Sequence, residues 1–133
     1  MNKDVKVFVS SGFRDSLDKS KLDLLVSQFK DYKKTGVPHE SFGRDTTYDF
    51  PSQVKQAGMS HIHIRDSSSK RWHLKKLSYH KTSNTALIYC EGFLNKNYFL
   101  LLGFIENAHQ LCKLKPLYLM ELADVAERFR EKF

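Results

Sequence analysis

ALIYCEGFLNKNYFLLLGFIENAH, residues Ala86–His109, is the stretch whose reading decides the fold. Ala86 to Cys90 is a short apolar run with Leu87 and Tyr89 alternating with Ile88 and Cys90, the pattern of a strand covered on both faces. Glu91-Gly92 and Asn95-Lys96-Asn97 bring turn chemistry. Tyr98 to Ile105 is then apolar except for Gly103, which suits the centre of a sheet. The run stops at Glu106-Asn107-Ala108-His109. A polar group at the end of a central strand is held by a rigid scaffold, as a catalytic or binding site requires, although every strand must end in something polar.

At 133 residues the chain is read as one domain, 1–133, long enough to bury a core without staples. Cys90 and Cys112 form no ligand or redox motif and are expected as small buried residues. No signal pattern opens the chain and no apolar segment reaches about 18 residues, so a cytoplasmic protein with no membrane partner is expected. Twenty-two basic against 15 acidic residues give a net charge of +7, which favours a polyanionic partner such as nucleic acid.

Toward the N-terminus, Val5, Val7 and Val9 alternate with Lys6 and Phe8 as a short strand near a sheet edge, ended by Ser11-Gly12. Leu22, Leu25, Val26, Phe29 and Tyr32 share one stripe, predicting a helix from about Asp18 to Thr35 closed by Gly36 and Pro38. HESFGRDTTYDF, His39–Phe50, reads as a loop. In it Arg44 suits a phosphate through its planar fork, and Asp45 or Asp49 suits a basic group; a structural Arg–Asp pair is the competing reading. Gln53–Ala57 suits a helical turn ended by Gly58.

SHIHIR, Ser60–Arg65, alternates strictly: Ile62 and Ile64 face a core, while His61, His63 and Arg65 share the other face. That face suits phosphate binding or acid–base chemistry, or is simply solvated; a metal site lacks a third ligand at suitable spacing. RWHLKKLSYHK, Arg71–Lys81, interleaves Arg71, Lys75 and Lys76 with aromatics, which suits phosphate contacts and base stacking. Pro116 opens a last helix whose stripe is Leu119, Leu122, Ala123, Ala126 and Phe129, with Arg128, Arg130 and Lys132 on its exposed side. Sequential strands with short turns then imply an α+β fold: a small, mainly antiparallel sheet with an N-terminal and a C-terminal helix.

YKKTGV (Tyr32–Val37), FGRDTTYD (Phe42–Asp49), HIHI (His61–Ile64), LIYCEG (Leu87–Gly92) and AERFREKF (Ala126–Phe133), in this order, resemble the YafO family of bacterial type II toxins. The resemblance runs from about Phe29 to the C-terminus; Arg71–His80 matches it poorly, so RNA contacts there rest on residue chemistry alone. It implies a ribosome-dependent mRNA endoribonuclease (an mRNA interferase that inhibits translation), a small cognate antitoxin as partner, no cofactor, and a RelE/ParE-like fold. Under that reading the RNA 2′-OH attacks its own phosphodiester without metal, and histidines suit both proton roles because their pKa is near 6.5. The expected catalytic set is His61, His63, His109 and Asp45, with Asp45 orienting Arg44 or a histidine. Arg44, Arg65, Arg71, Lys75, Lys76 and Arg130 are the expected RNA or phosphate contacts. The competing classes are a non-catalytic nucleic-acid-binding module and a gyrase-directed toxin.

Overall fold

The computed structural model describes residues 4–66, 68, 69, 72, 81–105 and 115–133. The elements in order are β1 (Lys6–Val9), α1 (Ser11–Ser16), α2 (Lys19–Thr35), β2 (Phe42–Thr47), α3 (Ser52–Gln56), β3 (Met59–Ile64), β4 (Thr85–Glu91), β5 (Tyr98–Ile105) and α4 (Lys115–Lys132). They build an α+β fold around one five-stranded sheet of order β1-β5-β4-β3-β2. Neighbouring strands from β2 to β5 run antiparallel, as expected. β1 lies at an edge, also as expected, but pairs parallel with β5, so the sheet is mixed.

β4 and β5 are the central pair, and β4 is buried from Thr85 to Cys90. Their hydrophobic side chains divide between two cores. On one face Leu87, Tyr89, Phe99 and Leu101 meet Phe13 of α1 and Leu22, Leu25 and Phe29 of α2. On the other, Met59, Ile88, Cys90, Leu100 and Leu102 meet Leu119, Ala123, Ala126 and Phe129 of α4. Burying each large aliphatic or aromatic side chain contributes about 1.5–3 kcal/mol, so the stripes of α2 and α4 hold their helices on the sheet. Cys90 is fully buried, and burial pushes its thiol up to about 12; Cys112 lies outside the described residues.

α2 follows its sequence pattern to the residue at its end, where Gly36 adopts φ 79° and donates its N–H to the Tyr32 carbonyl at 2.7 Å. Two segments depart from expectation. Ser11-Gly12 does not merely end a strand: Ser10 accepts from the Phe13 N–H and starts the short α1. The segment read as a loop, His39–Phe50, contains the edge strand β2, whose few apolar anchors, Phe42 and Tyr48, are buried at its ends. Its middle is polar, and it carries a bulge between Phe42 and Asp45, which hides the alternation that would mark it.

Asp66 fastens the connection from β3 to β4. It accepts from the Ser68 N–H at 2.8 Å and from the hydroxyls of Ser68, Ser69 and Thr85. Burial alone would raise this carboxyl; the hydrogen bonds from Ser68, Thr85 and Ser69 outweigh it and hold it below its ordinary 3.8. A depressed folded pKa gives stability that is complete above the unfolded value and disappears as pH falls through the folded one. The melting temperature should therefore drop below about pH 4, and Asp66→Asn should flatten that acid limb in a thermal-melt series from pH 7 to pH 2.

Candidate functional site

β3 turns its two faces as its alternation predicts. Ile62 is buried and Ile64 packs with it on the α2 face. His61 and His63 project to the α4 face, half-buried, with ring centroids 5.5 Å apart in an edge-on arrangement. His61 stacks on Tyr48 at 4.3 Å and stands opposite Ile88 of β4. His63 stands opposite Ala86, which in turn pairs with Ile105, the end of β5.

The His63 ring is held at one nitrogen by one residue. Its Nδ1 lies 3.0 Å from the Ser83 N–H and 2.9 Å from the Ser83 carbonyl. A neutral imidazole accepts from that N–H; a protonated Nδ1 donates to that carbonyl. Ser83 thus satisfies Nδ1 in both charge states.

Arg44 joins this face. Phe42 pairs with Ile64 and Asp45 with Ile62, so Gly43 and Arg44 together stand opposite His63 at the bulge. The Arg44 N–H donates to the Lys81 carbonyl at 2.8 Å, and its side chain is half-buried. Gly43 has no room for a side chain, since a Cβ there would lie 2.2 Å from the Lys81 carbonyl oxygen and 2.7 Å from the Trp72 ring. Trp72 is buried and donates to the Thr82 carbonyl at 3.0 Å, so its ring packs against β2. Arg65 follows directly after β3, exposed, with its N–H bonded to the Ser41 carbonyl.

Asp45 does not join the histidines. It faces α2, where it accepts from Tyr32 Oη at 2.8 Å, Tyr89 Oη at 2.7 Å and Lys33 Nζ at 3.2 Å. The Lys33 ammonium also donates to Tyr89 Oη at 3.0 Å and sits 4.6 Å from the Tyr32 ring centre, 4.7 Å from Tyr89, 5.5 Å from Phe99 and 5.6 Å from Phe29. Burial first, then Asp45, pushes both tyrosine hydroxyls well above their ordinary range, so they remain donors. The expectation that Asp45 orients Arg44 or a histidine therefore gives way to an internal ion pair pinning β2 to α2. The thickness of the sheet separates it from His61 and His63.

Arg130 also lies away from the histidines. It donates to the Gln56 carbonyl at 3.3 Å, lies over the Phe93 ring at 5.4 Å and packs on Gly58. That is the Gly58–Cys90 end of the sheet, about 16 Å along β3 from His63. Arg71, Lys75, Lys76 and His109 lie outside the described residues. Among the described residues no group of three or more His, Cys, Asp or Glu side chains is placed to hold a metal ion.

Two residues that the sequence reading left out of the site stand on the histidine face. Tyr48 carries the stack on His61. Tyr118 of α4 lies over Gly103, where a Cβ would come within 2.4 Å of the Tyr118 hydroxyl. Burial and then the Tyr118 phenol raise the Tyr48 hydroxyl above its usual range; burial and then Glu121 raise Tyr118.

The family described as toxin YafO, type II toxin-antitoxin system, matches residues 30–131. The chain belongs to the YafO toxin family. The mRNA interferase toxin YafO of Escherichia coli (strain K12) is 28% identical over 97% of this chain and 100% of its own length. No solved structure matches the chain significantly. As a YafO toxin it is one half of a type II toxin-antitoxin pair, which implies an antitoxin as partner. No helix among its described residues is long and apolar enough to cross a membrane.

Proposed function

We propose that this YafO toxin is an endoribonuclease that cuts mRNA on the ribosome, in the cytoplasm, and so stops translation. The observation that carries the reading is the pairing of His61 and His63 on one face of β3 with Arg44 across from His63, in a chain related over nearly its whole length to a protein named an mRNA interferase. The reaction is transesterification. One group takes the proton of the RNA 2′-OH, its oxygen attacks the phosphorus, and a second group protonates the departing 5′ oxygen. His63 acts through Nε2 as one of these groups. The other is His61 or His109, which follows the end of β5 at Ile105. Arg44 and Arg65 hold the scissile phosphate and offset charge on the phosphorane, and Arg71, Lys75 and Lys76 track the RNA strand. A RelE/ParE-like placement of the fold belongs to the same reading and is supported by a small, mostly antiparallel sheet with helices at both ends.

Mapping of RNA 5′ ends in a translating extract given the purified toxin, with the same RNA untranslated alongside, tests the reading. New ends in the translated sample alone are expected. Ends in both samples would make the enzyme independent of the ribosome. Absence of new ends from folded, antitoxin-free protein would overturn the nuclease assignment.

A further inference from the structure

We propose that the groove where α3, the β4–β5 connection and the last turns of α4 meet is a docking site for the cognate antitoxin, which sets the carboxylate of an acidic side chain on Arg130 and an apolar side chain against Phe93 and Leu94. The proposal rests on membership of the toxin–antitoxin family and is independent of the nuclease reading.

The groove, of about 400 Å³, is organised around one cation. The Arg130 guanidinium packs on Gly58, where a Cβ would collide with it, and lies over the Phe93 ring, 5.4 Å from its centre. A guanidinium is all donor and no acceptor. Here Nη1 donates to the Gln56 carbonyl at 3.3 Å, while Nε is buried with no acceptor among the described residues. Ion pairs among the described residues join Lys33 to Asp45 and Lys96 to Glu91; Arg130 has none. Its charge is therefore half withdrawn from water without a counter-charge, and its terminal nitrogens still line the groove. A carboxylate entering there accepts from them and supplies the missing charge.

The walls beside this cation are apolar and open. Phe93 is 60% exposed and Leu94 80%. Large apolar side chains grouped at a surface beside an arginine mark a protein interface. The wall is also fixed before any partner arrives. The Leu94 and Asn95 N–H groups donate to the Phe133 carbonyl at 3.0 and 2.9 Å, which ties the β4–β5 connection to the end of α4. A preformed wall costs little ordering on binding.

The charge pattern selects a protein over RNA. Glu127 and Glu131 line the groove with Arg130, so a run of phosphates would meet two like charges for each opposite one. A peptide brings a single carboxylate to Arg130 and offers its own N–H or cationic groups to the two glutamates. The net charge of +7 on the toxin draws an acidic partner at longer range, and family membership names the antitoxin as that partner.

The test measures the association and dissociation rates of purified, antitoxin-free toxin on immobilised full-length cognate antitoxin, with a melting temperature for each variant. Arg130→Gln and Leu94→Asp are each expected to raise Kd about 10–10²-fold, mostly through faster dissociation. Leu24→Asp, at an exposed apolar position on α2, is expected to leave Kd unchanged. Leu94 is too exposed for its substitution to unfold the chain, so this variant keeps the proposal open to refutation. If Arg130→Gln does not fold, Arg130→Lys, which keeps the charge and loses the planar fork, should raise Kd about 10-fold. Wild-type Kd from folded Leu94→Asp and from the folded Arg130 variant overturns the proposal. With those two at wild-type Kd, weakening by Leu24→Asp would place the antitoxin on α2, and weaker RNA binding by the Arg130 variant would give the groove to RNA. A toxin that light scattering shows to be dimeric alone and monomeric as Leu94→Asp, with antitoxin Kd unchanged, overturns the proposal in favour of a second copy of this chain.

Discussion

Asp45→Ala is expected to lower the melting temperature by about 10 °C and leave the cutting chemistry in place. The carboxylate accepts from two tyrosine hydroxyls and from Lys33, which is itself enclosed by four aromatic rings. Removing one partner of a shielded ion pair leaves the other charge and its donors without their acceptor, which costs about 3 kcal/mol. For a chain of this length that corresponds to the shift stated. Asp45 belongs to the α2 face, so the folded fraction should retain RNA cutting at close to the wild-type rate per folded molecule. Calorimetry and cutting assays on the same preparation check both halves. A stable variant that has lost activity would return Asp45 to the reacting groups.

His63→Asn is expected to cut RNA about 10²–10⁴-fold more slowly, the usual worth of a general acid or base. Asn is the informative replacement. Its amide oxygen can occupy the place of Nδ1 and accept from the Ser83 N–H, whereas nothing replaces Nε2. The melting temperature should therefore stay near that of wild type while the rate collapses. Two histidines acting as acid and base also predict a bell-shaped rate profile, and the substitution should abolish one limb. Full activity in a folded His63→Asn protein would remove this residue from the chemistry.

The elements with strong periodicity were legible before any coordinates. The apolar runs of β4 and β5, the stripe of α2 with Gly36 at its end, and the alternation of His61 and His63 against Ile62 and Ile64 all stand as read. What stayed hidden is non-local. FGRDTT has too little alternation to announce an edge strand, and its bulge determines which of two adjacent charged residues faces which core. Arg44 and Asp45 looked like one functional pair because they are neighbours in the chain; pleating sends them to opposite sides of the sheet. The setting of Lys33 was equally hidden, because Tyr89 and Phe99, which close over it, come from distant strands.

The parallel pairing of β1 with β5 has a consequence for how the molecule comes into being. Lys6 is registered with Tyr98 and Val9 with Leu101, and Ser10 bonds through its hydroxyl to the Leu102 carbonyl, 92 positions away. The strand that comes first in the sheet's chain order is thus paired with the one that comes last. Until residues near 100 emerge, β1 has no neighbour in the sheet, and α4, made after β5, must still cover the opposite face. Loops of this length close slowly compared with local hairpins. A nascent chain therefore carries β1 unpaired until β5 has been made, so the edge of the sheet is completed only after its centre can form.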